Sequence, residues 1–178
     1  KGSGYERWAK VFNVKQMAKT LLYLQEHGIK SCEELSARAD VASEKLAAAK
    51  DRIAALDARI AEVYELRGHI ISYAKTREVF AEYKSSRFSR KFYDARADEI
   101  EQHREAKRYF NEHSLTRLPK VKDLSAEFNA LVAEKRAAYA DYRAIRDEHR
   151  ELLVHRHNVE TFLGEEKSSD TRRNRGER

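Results

Sequence analysis

The chain has 178 residues, 37% of them charged and 41% hydrophobic, with one proline, six glycines and one cysteine. No apolar run approaches the roughly 18 residues of a membrane span, no apolar leader core opens the chain, and the lone Cys32 excludes an internal disulfide and fits a cytoplasmic, reducing setting. The net charge of +6 is unevenly placed: residues 67–122 carry fourteen bases and eight acids, whereas 31–66 carry five and eight and 123–164 carry six and eight.

Alanine, glutamate, lysine, leucine and arginine dominate, and no Asn-Gly hairpin dipeptide occurs. That is the composition of long helices, so the expected fold class is all-α. In chain order, a short amphipathic helix over 5–12 bears Trp8, Val11 and Phe12. Asn13 and Gln16 make a capping box, with Phe12 and Met17 as its staple, and open a second helix that runs to about His27. Gly28 suits the left-handed position past a helix end, and Ile29 the apolar contact that follows. Ser31 and Glu34 form another capping box. From there Leu35, Ala39, Ala42, Leu46, Ala49, Ile53, Leu56, Ile60 and Val63 keep an unbroken heptad. Past Val63 the register drifts through Leu66, Ile70 and Tyr73, and Gly68 marks an expected kink or break over 67–69.

The helix resumes to about Lys84, and a polar turn follows at Ser85, Ser86 and Arg87. Ser89 caps a further helix that ends near His113, with Phe88 and Tyr93 as its staple pair. Pro119 precedes the last helix, whose seam is Val121, Leu124, Phe128, Leu131, Lys135, Ala138, Tyr142, Ile145, His149, Leu152, Arg156, Val159 and Leu163. Gly164 ends it, and 165–178, which holds no apolar residue, is expected to be disordered.

With Leu35 level with Leu163, segments 31–66 and 131–164 pair as a long antiparallel coiled-coil hairpin, a stalk. Residues 67–130 then form a small basic helical head, and the helices of 1–30 pack at the stalk base. The alternative is a homodimeric parallel coiled coil; short connections favour the intramolecular pairing. Lys135, His149 and Arg156 interrupt the seam as polar positions that fix register.

No cofactor and no metal site is expected. His155 and His157 point about 200° apart on a helix and cannot share an ion, and no catalytic constellation or Gly-rich phosphate loop occurs. The basic segment is where function can be argued. Arg90 and Lys91 follow Ser89 at a helix start, where free N–H groups and cations suit a phosphate. The candidate DNA-binding set is Lys75, Arg77, Lys84, Arg87, Ser89, Arg90, Lys91, Lys120 and Lys122. An ordinary solvated face is the alternative, since eight acids are interspersed among the bases of 67–122.

The strings GYERWAKVFNVKQMAKTLLYLQEHGI (4–29), ISYAKTREVFAEY (71–83), FSRKFYDARADEIEQHREAKRYF (88–110) and LPKVKDLSAEFNALVAEKRAAYADYR (118–143) resemble the region after the nuclease domain of relaxases. Relaxases are the mobilisation nucleases of conjugative and mobilisable elements of Gram-positive bacteria. The resemblance implies a non-catalytic accessory domain, the nicking tyrosine and metal-binding histidines belonging to a separate nuclease domain. It implies contact with transfer-origin DNA and with the relaxosome or a coupling protein, without membrane insertion. The arginine-rich stretch of Arg172, Arg173, Arg175 and Arg178 is similar to C-terminal transfer signals. The rival expectation is a protein-interaction module that docks a coupling protein or accessory factor through the stalk or through Trp8, Phe12 or Tyr23.

Overall fold

The computed structural model describes the backbone of residues 3–176 and the side chains of residues 11–164; Trp8, Arg172, Arg173, Arg175 and Arg178 lie outside the described side chains. The described chain is all-α, in the order α1 (Ser3–Glu26), α2 (Cys32–Ser85), α3 (Arg90–Ala95), α4 (Ala97–Glu112) and α5 (Val121–Gly176).

Four local expectations give way. The capping box at Asn13 starts nothing, because α1 runs unbroken from Ser3. A polar residue inside a helix costs a few tenths of a kcal/mol, less than surrendering a turn of hydrogen bonds and nucleating again. Gly68 does not break α2 either. The drift in register past Val63 marks a change of partner: Ile70, Tyr73 and Thr76 turn towards α4 and Tyr83 towards α3 and Arg104 of α4, and Val63 and Ile70, on either side of the glycine, are buried. The helix expected over 90–113 is divided at Arg96, whose φ of −137° separates α3 from α4. Finally, α5 passes through Gly164 to Gly176. Residues 165–175 hold no glycine or proline, and a helix already under way needs no new nucleus.

The chain divides into two compact units, one of residues 1–51 and 140–178, the other of residues 52–139. In unit 1, Tyr23, Ile29, Leu35, Ala39, Ala42, Leu152 and Val159 form the core, with Met17, Leu24 and Leu153 packed against it. Each large side chain buried here contributes about 1.5–3 kcal/mol. Leu35 lies near Val159 and Ala42 near Leu152, so α2 and α5 run antiparallel within this unit. Arg156 reaches Asp40 at 3.4 Å, a polar seam position held by a cross-helix partner. Half of the expected capping box at the start of α2 is made: Ser31 Oγ accepts from the Glu34 N–H at 3.1 Å, while Glu34 Oε2 reaches past Ser31 to accept from the Lys30 N–H at 2.9 Å.

In unit 2, Val63, Ile70, Ala106, Phe110 and Leu124 form the core, and Leu115, Leu118, Val121 and Phe128 pack onto it. The pairs Arg52–Glu134, Arg59–Glu127 and Arg67–Ser125 step in opposite directions along α2 and α5, so these segments are antiparallel here too. Lys135, another polar seam residue, pairs with Asp57. Helix α4 lies antiparallel to α2, with His69 against Tyr109 and Thr76 against His103.

The two units share a plan that is also written in the sequence. Residues 23–29 read YLQEHGI and residues 109–115 read YFNEHSL; residues 62–69 read EVYELRGH and residues 148–155 read EHRELLVH. Both pairs lie 86 positions apart, from 23 to 109 and from 62 to 148. In unit 1 the Tyr23 ring stacks between His27 and His155, with both centroids at 4.0 Å. In unit 2 the Tyr109 ring stacks between His113 at 4.0 Å and His69 at 4.1 Å. His27 and His113 each donate a ring N–H to the carbonyl of the tyrosine they stack on, at 2.8 and 2.9 Å. Both helices then close with the same cap: Gly28 and Ser114 take φ values of 64° and 52°. The next N–H, of Ile29 or Leu115, donates five residues back, to the carbonyl of Leu24 or Phe110.

Candidate functional site

All the candidate DNA-binding side chains fall in unit 2, and the cations among them are exposed. They do not form one cluster. Arg87, Ser89, Arg90 and Lys91 occupy the α2–α3 turn and the start of α3, close to Lys84. Lys120 and Lys122 stand at the start of α5, beyond the other end of α4, which at sixteen residues is about 24 Å long. Arg77 and Lys84, seven residues apart, share a face of α2; Lys75 projects from the opposite side.

The turn after α2 has unusual backbone. Arg87 and Phe88 are consecutive non-glycine residues at φ values of 55° and 60°. The Arg87 N–H donates to the Lys84 carbonyl at 3.0 Å and the Phe88 N–H to the Tyr83 carbonyl at 3.1 Å, the same cap that follows α1 and α4. Where those ends use Gly28 and Ser114, this one places an arginine, at a conformational cost of about 1 kcal/mol or more. Ile29 is buried after its cap, whereas Phe88, set edge-on against Tyr83, is 58% exposed. Tyr83 also meets Phe92 and Tyr93, so the aromatic contacts around this cap run through Tyr83.

Ser89 stands at the N-cap position of α3, but its side chain makes no capping hydrogen bond, and its N–H donates to Ser86 Oγ at 3.3 Å. With six residues, α3 is too short to concentrate a helix dipole on an anion. The focused phosphate pocket expected at Ser89 is therefore not assembled. What the segment offers is a distributed cationic surface with aromatic rings between the charges. The Lys84 ammonium lies 5.6 Å from the Phe80 centroid, and the Arg104 guanidinium lies 5.8 and 5.7 Å from Tyr83 and Tyr93.

Ion pairing divides the cations of unit 2 into paired ones and ones without a carboxylate partner among the described residues. Arg59, Arg96, Arg104 and Lys135 meet Glu127, Glu99, Glu101 and Asp57. Of the eight candidate cations only Arg90 has a carboxylate partner among the described residues, Asp94 at 3.5 Å, with the arginine side chain still 91% exposed. Lys107, Arg108 and Arg117, outside the candidate set, are exposed and without a carboxylate partner in the same sense. Lys107 and Arg108 lie on α4 and Arg117 in the connection to α5.

Two buried histidines lie below the surface. In unit 2, His103 Nδ1 is 3.1 Å from Thr76 Oγ1, and its ring stacks on Tyr73 and Phe80. Thr76 donates its own proton to the Ser72 carbonyl at 2.7 Å, so Nδ1–H of His103 is the donor to Thr76. In unit 1, Thr20 Oγ1 accepts from Asn158 at 3.0 Å, which leaves the Thr20 hydroxyl proton for Nδ1 of His155 at 3.0 Å. Burial holds both imidazoles below the ordinary histidine value, aided at His103 by Lys107 and Lys84; at His155 the Glu151 carboxylate opposes it.

The stacked tyrosines repeat the same electrostatics. Burial raises the Tyr23 phenol, followed by Glu151 and Glu148; burial raises the Tyr109 phenol, followed by Glu65 and Glu62. A phenol held in its protonated form is the reverse of an activated nucleophile, so the two sites read as structural clamps. His155 is buried and His157 exposed, and no group of three or more His, Cys, Asp or Glu among the described residues could hold a metal ion. Cys32 is exposed in the first turn of α2. Among the described residues no helix is long and apolar enough to cross a membrane. No family model, curated protein or solved structure matches the chain.

Proposed function

We propose that this chain is a non-catalytic helical module that contacts nucleic acid through the exposed cations of unit 2. With the resemblance of its residues to post-nuclease relaxase regions, the specific reading is an accessory domain that holds transfer-origin DNA and joins a relaxosome or coupling protein. The observation that supports it is the unequal pairing of charge. The carboxylates of unit 2 neutralise cations such as Arg59 and Arg104, while Lys75, Arg77, Lys84, Arg87, Lys91, Lys120 and Lys122 have no carboxylate partner among the described residues.

Clusters at the two ends of α4, about 24 Å apart, suit a phosphate backbone followed over several nucleotides better than a single bound anion. Phe88, exposed between Arg87 and Arg90, offers a ring face to an unpaired base. The test is fluorescence anisotropy of labelled single- and double-stranded DNA with the wild type and with the Arg87→Glu/Arg90→Glu/Lys91→Glu variant, over a salt series. Affinity should fall steeply with salt, and the variant should bind at least about tenfold more weakly at low salt, with unchanged helicity. Equal affinity of the two proteins at low salt would remove the proposal.

A further inference from the structure

The repeated plan gives the molecule an internal control for its surfaces. Aligned on His27 and His113, α1 and α4 correspond position by position at the spacing of 86. Helix α4 is apolar on one side: Ile100, His103, Ala106 and Phe110 are buried, and Lys107 and Arg108 point to solvent. At the matching positions α1 carries Leu21 and Leu22, 57% and 58% exposed. The buried side of α1 holds Thr20 and Tyr23, with Met17 and Leu24 packed alongside. Opposite them, at about 100° per residue, Val11, Val14, Ala18, Leu21 and Leu22 fall within an arc of about 100°. All five are exposed, Val14 at 69%. Val11, Val14, Ala18 and Leu21 keep the three–four–three spacing of a coiled-coil seam.

A helix that is apolar on two opposite faces is a helix covered on both. Among the described residues, the fold covers one. That α4 carries cations at the positions of Leu21 and Leu22 shows that the shared plan does not require apolar residues there. The borders say what kind of cover fits. Lys15 and Lys19 run along one edge of the stripe, both exposed, and no acid stands on that edge before Glu26, past the stripe's end. A second copy of α1 packed antiparallel would bring the same cations face to face, whereas a helix edged with carboxylates would neutralise them.

We propose that the outer face of α1 docks an amphipathic helix of a partner protein, its apolar seam laid on Val11, Val14, Leu21 and Leu22 and its bordering acids against Lys15 and Lys19. The surface belongs to unit 1 and does not depend on the nucleic-acid reading. The experiment titrates the full chain into two fluorescent four-heptad peptides with the same leucine seam, one edged with glutamate and one with lysine. The glutamate peptide should bind, and the lysine peptide should bind at least about tenfold more weakly.

The Leu21→Lys/Leu22→Arg variant installs what α4 already carries at these positions. It should keep its helicity and lose at least about tenfold in affinity for the glutamate peptide. Lys15→Glu/Lys19→Glu, which leaves the seam intact, should reverse the preference between the peptides. Absence of binding, equal binding of the two peptides, or indifference to both variants overturns the proposal. So does wild-type dimerisation in sedimentation that Leu21→Lys/Leu22→Arg abolishes, because the face would then belong to a second copy.

Discussion

In unit 1 and in unit 2 a tyrosine lies between two imidazoles, one from its own helix end and one from the helix it packs on, with burial and then two carboxylates raising its phenol in each case. What differs is the surface. Unit 1 leaves Leu21 and Leu22 in solvent, and unit 2 puts Lys107 and Arg108 at the same places. Features common to both copies are those the helical plan needs in order to pack; features found in only one are not required by it. The apolar stripe of α1 is of the second kind.

The largest effect that tests this division comes from removing the centre of each stack. Tyr23→Ala should cost about 3–5 kcal/mol, as for other large buried aromatics, and Tyr109→Ala should cost less, because Tyr23 is buried and Tyr109 only half-buried. Urea denaturation followed by circular dichroism measures both. If Tyr109→Ala cost as much as Tyr23→Ala, depth of burial would not be what separates the two clamps. A negligible cost for both would remove the tyrosines from the shared plan.

Much of this arrangement was legible as pattern. Every residue of the heptad from Leu35 to Val63 is buried or half-buried, as is the whole seam of α5 apart from Leu163. Gly28 with Ile29, and Ser31 with Glu34, make the caps that their chemistry demands. Breaks were harder to read than faces. Asn13, Gly68 and Gly164 are local signals worth up to about 1 kcal/mol each, and tertiary packing or an established helix outweighs them. The repeat is faint in sequence because its signal lies in two pairs of short strings, the members of each pair 86 residues apart and each unremarkable alone. The candidate cations were found by counting charge, but counting could not tell Arg104, held by Glu101, from Lys107, which has no carboxylate partner among the described residues.

A second, smaller effect separates the buried histidines. Both imidazoles are held below their ordinary value, so the folded chain resists the proton that the unfolded chain accepts. Stability should be level above the ordinary histidine value of about 6.5 and should fall with pH from there until the folded-state values are passed. The two sites should not share that loss equally. His103 already carries its proton on Nδ1, so a second proton goes to Nε2 and the bond to Thr76 survives. A proton arriving on Nδ1 of His155 displaces the one that Thr20 donates. Urea midpoints at pH 7.5 and pH 5 should therefore converge more in His155→Phe than in His103→Phe. The reverse order would mean that the tautomers are assigned the wrong way round.

The smallest effect is an exchange between the caps. Gly28 at φ 64° and Ser114 at φ 52° close the two stacked helices with the same hydrogen bonds, and a Cβ added at Gly28 would meet nothing within 4 Å. The difference between them is therefore backbone strain alone. Gly28→Ser should destabilise by about 1 kcal/mol and Ser114→Gly should stabilise by up to about the same amount, the greater freedom of glycine in the unfolded chain trimming the gain. Arg87 takes the same position at φ 55° after α2, so Arg87→Gly should also raise the urea midpoint. If Arg87 is kept for phosphate contact, that same variant should bind DNA more weakly while standing more firmly folded. Ser114→Gly, which relieves the same strain at the other end of α4, should leave binding where it was.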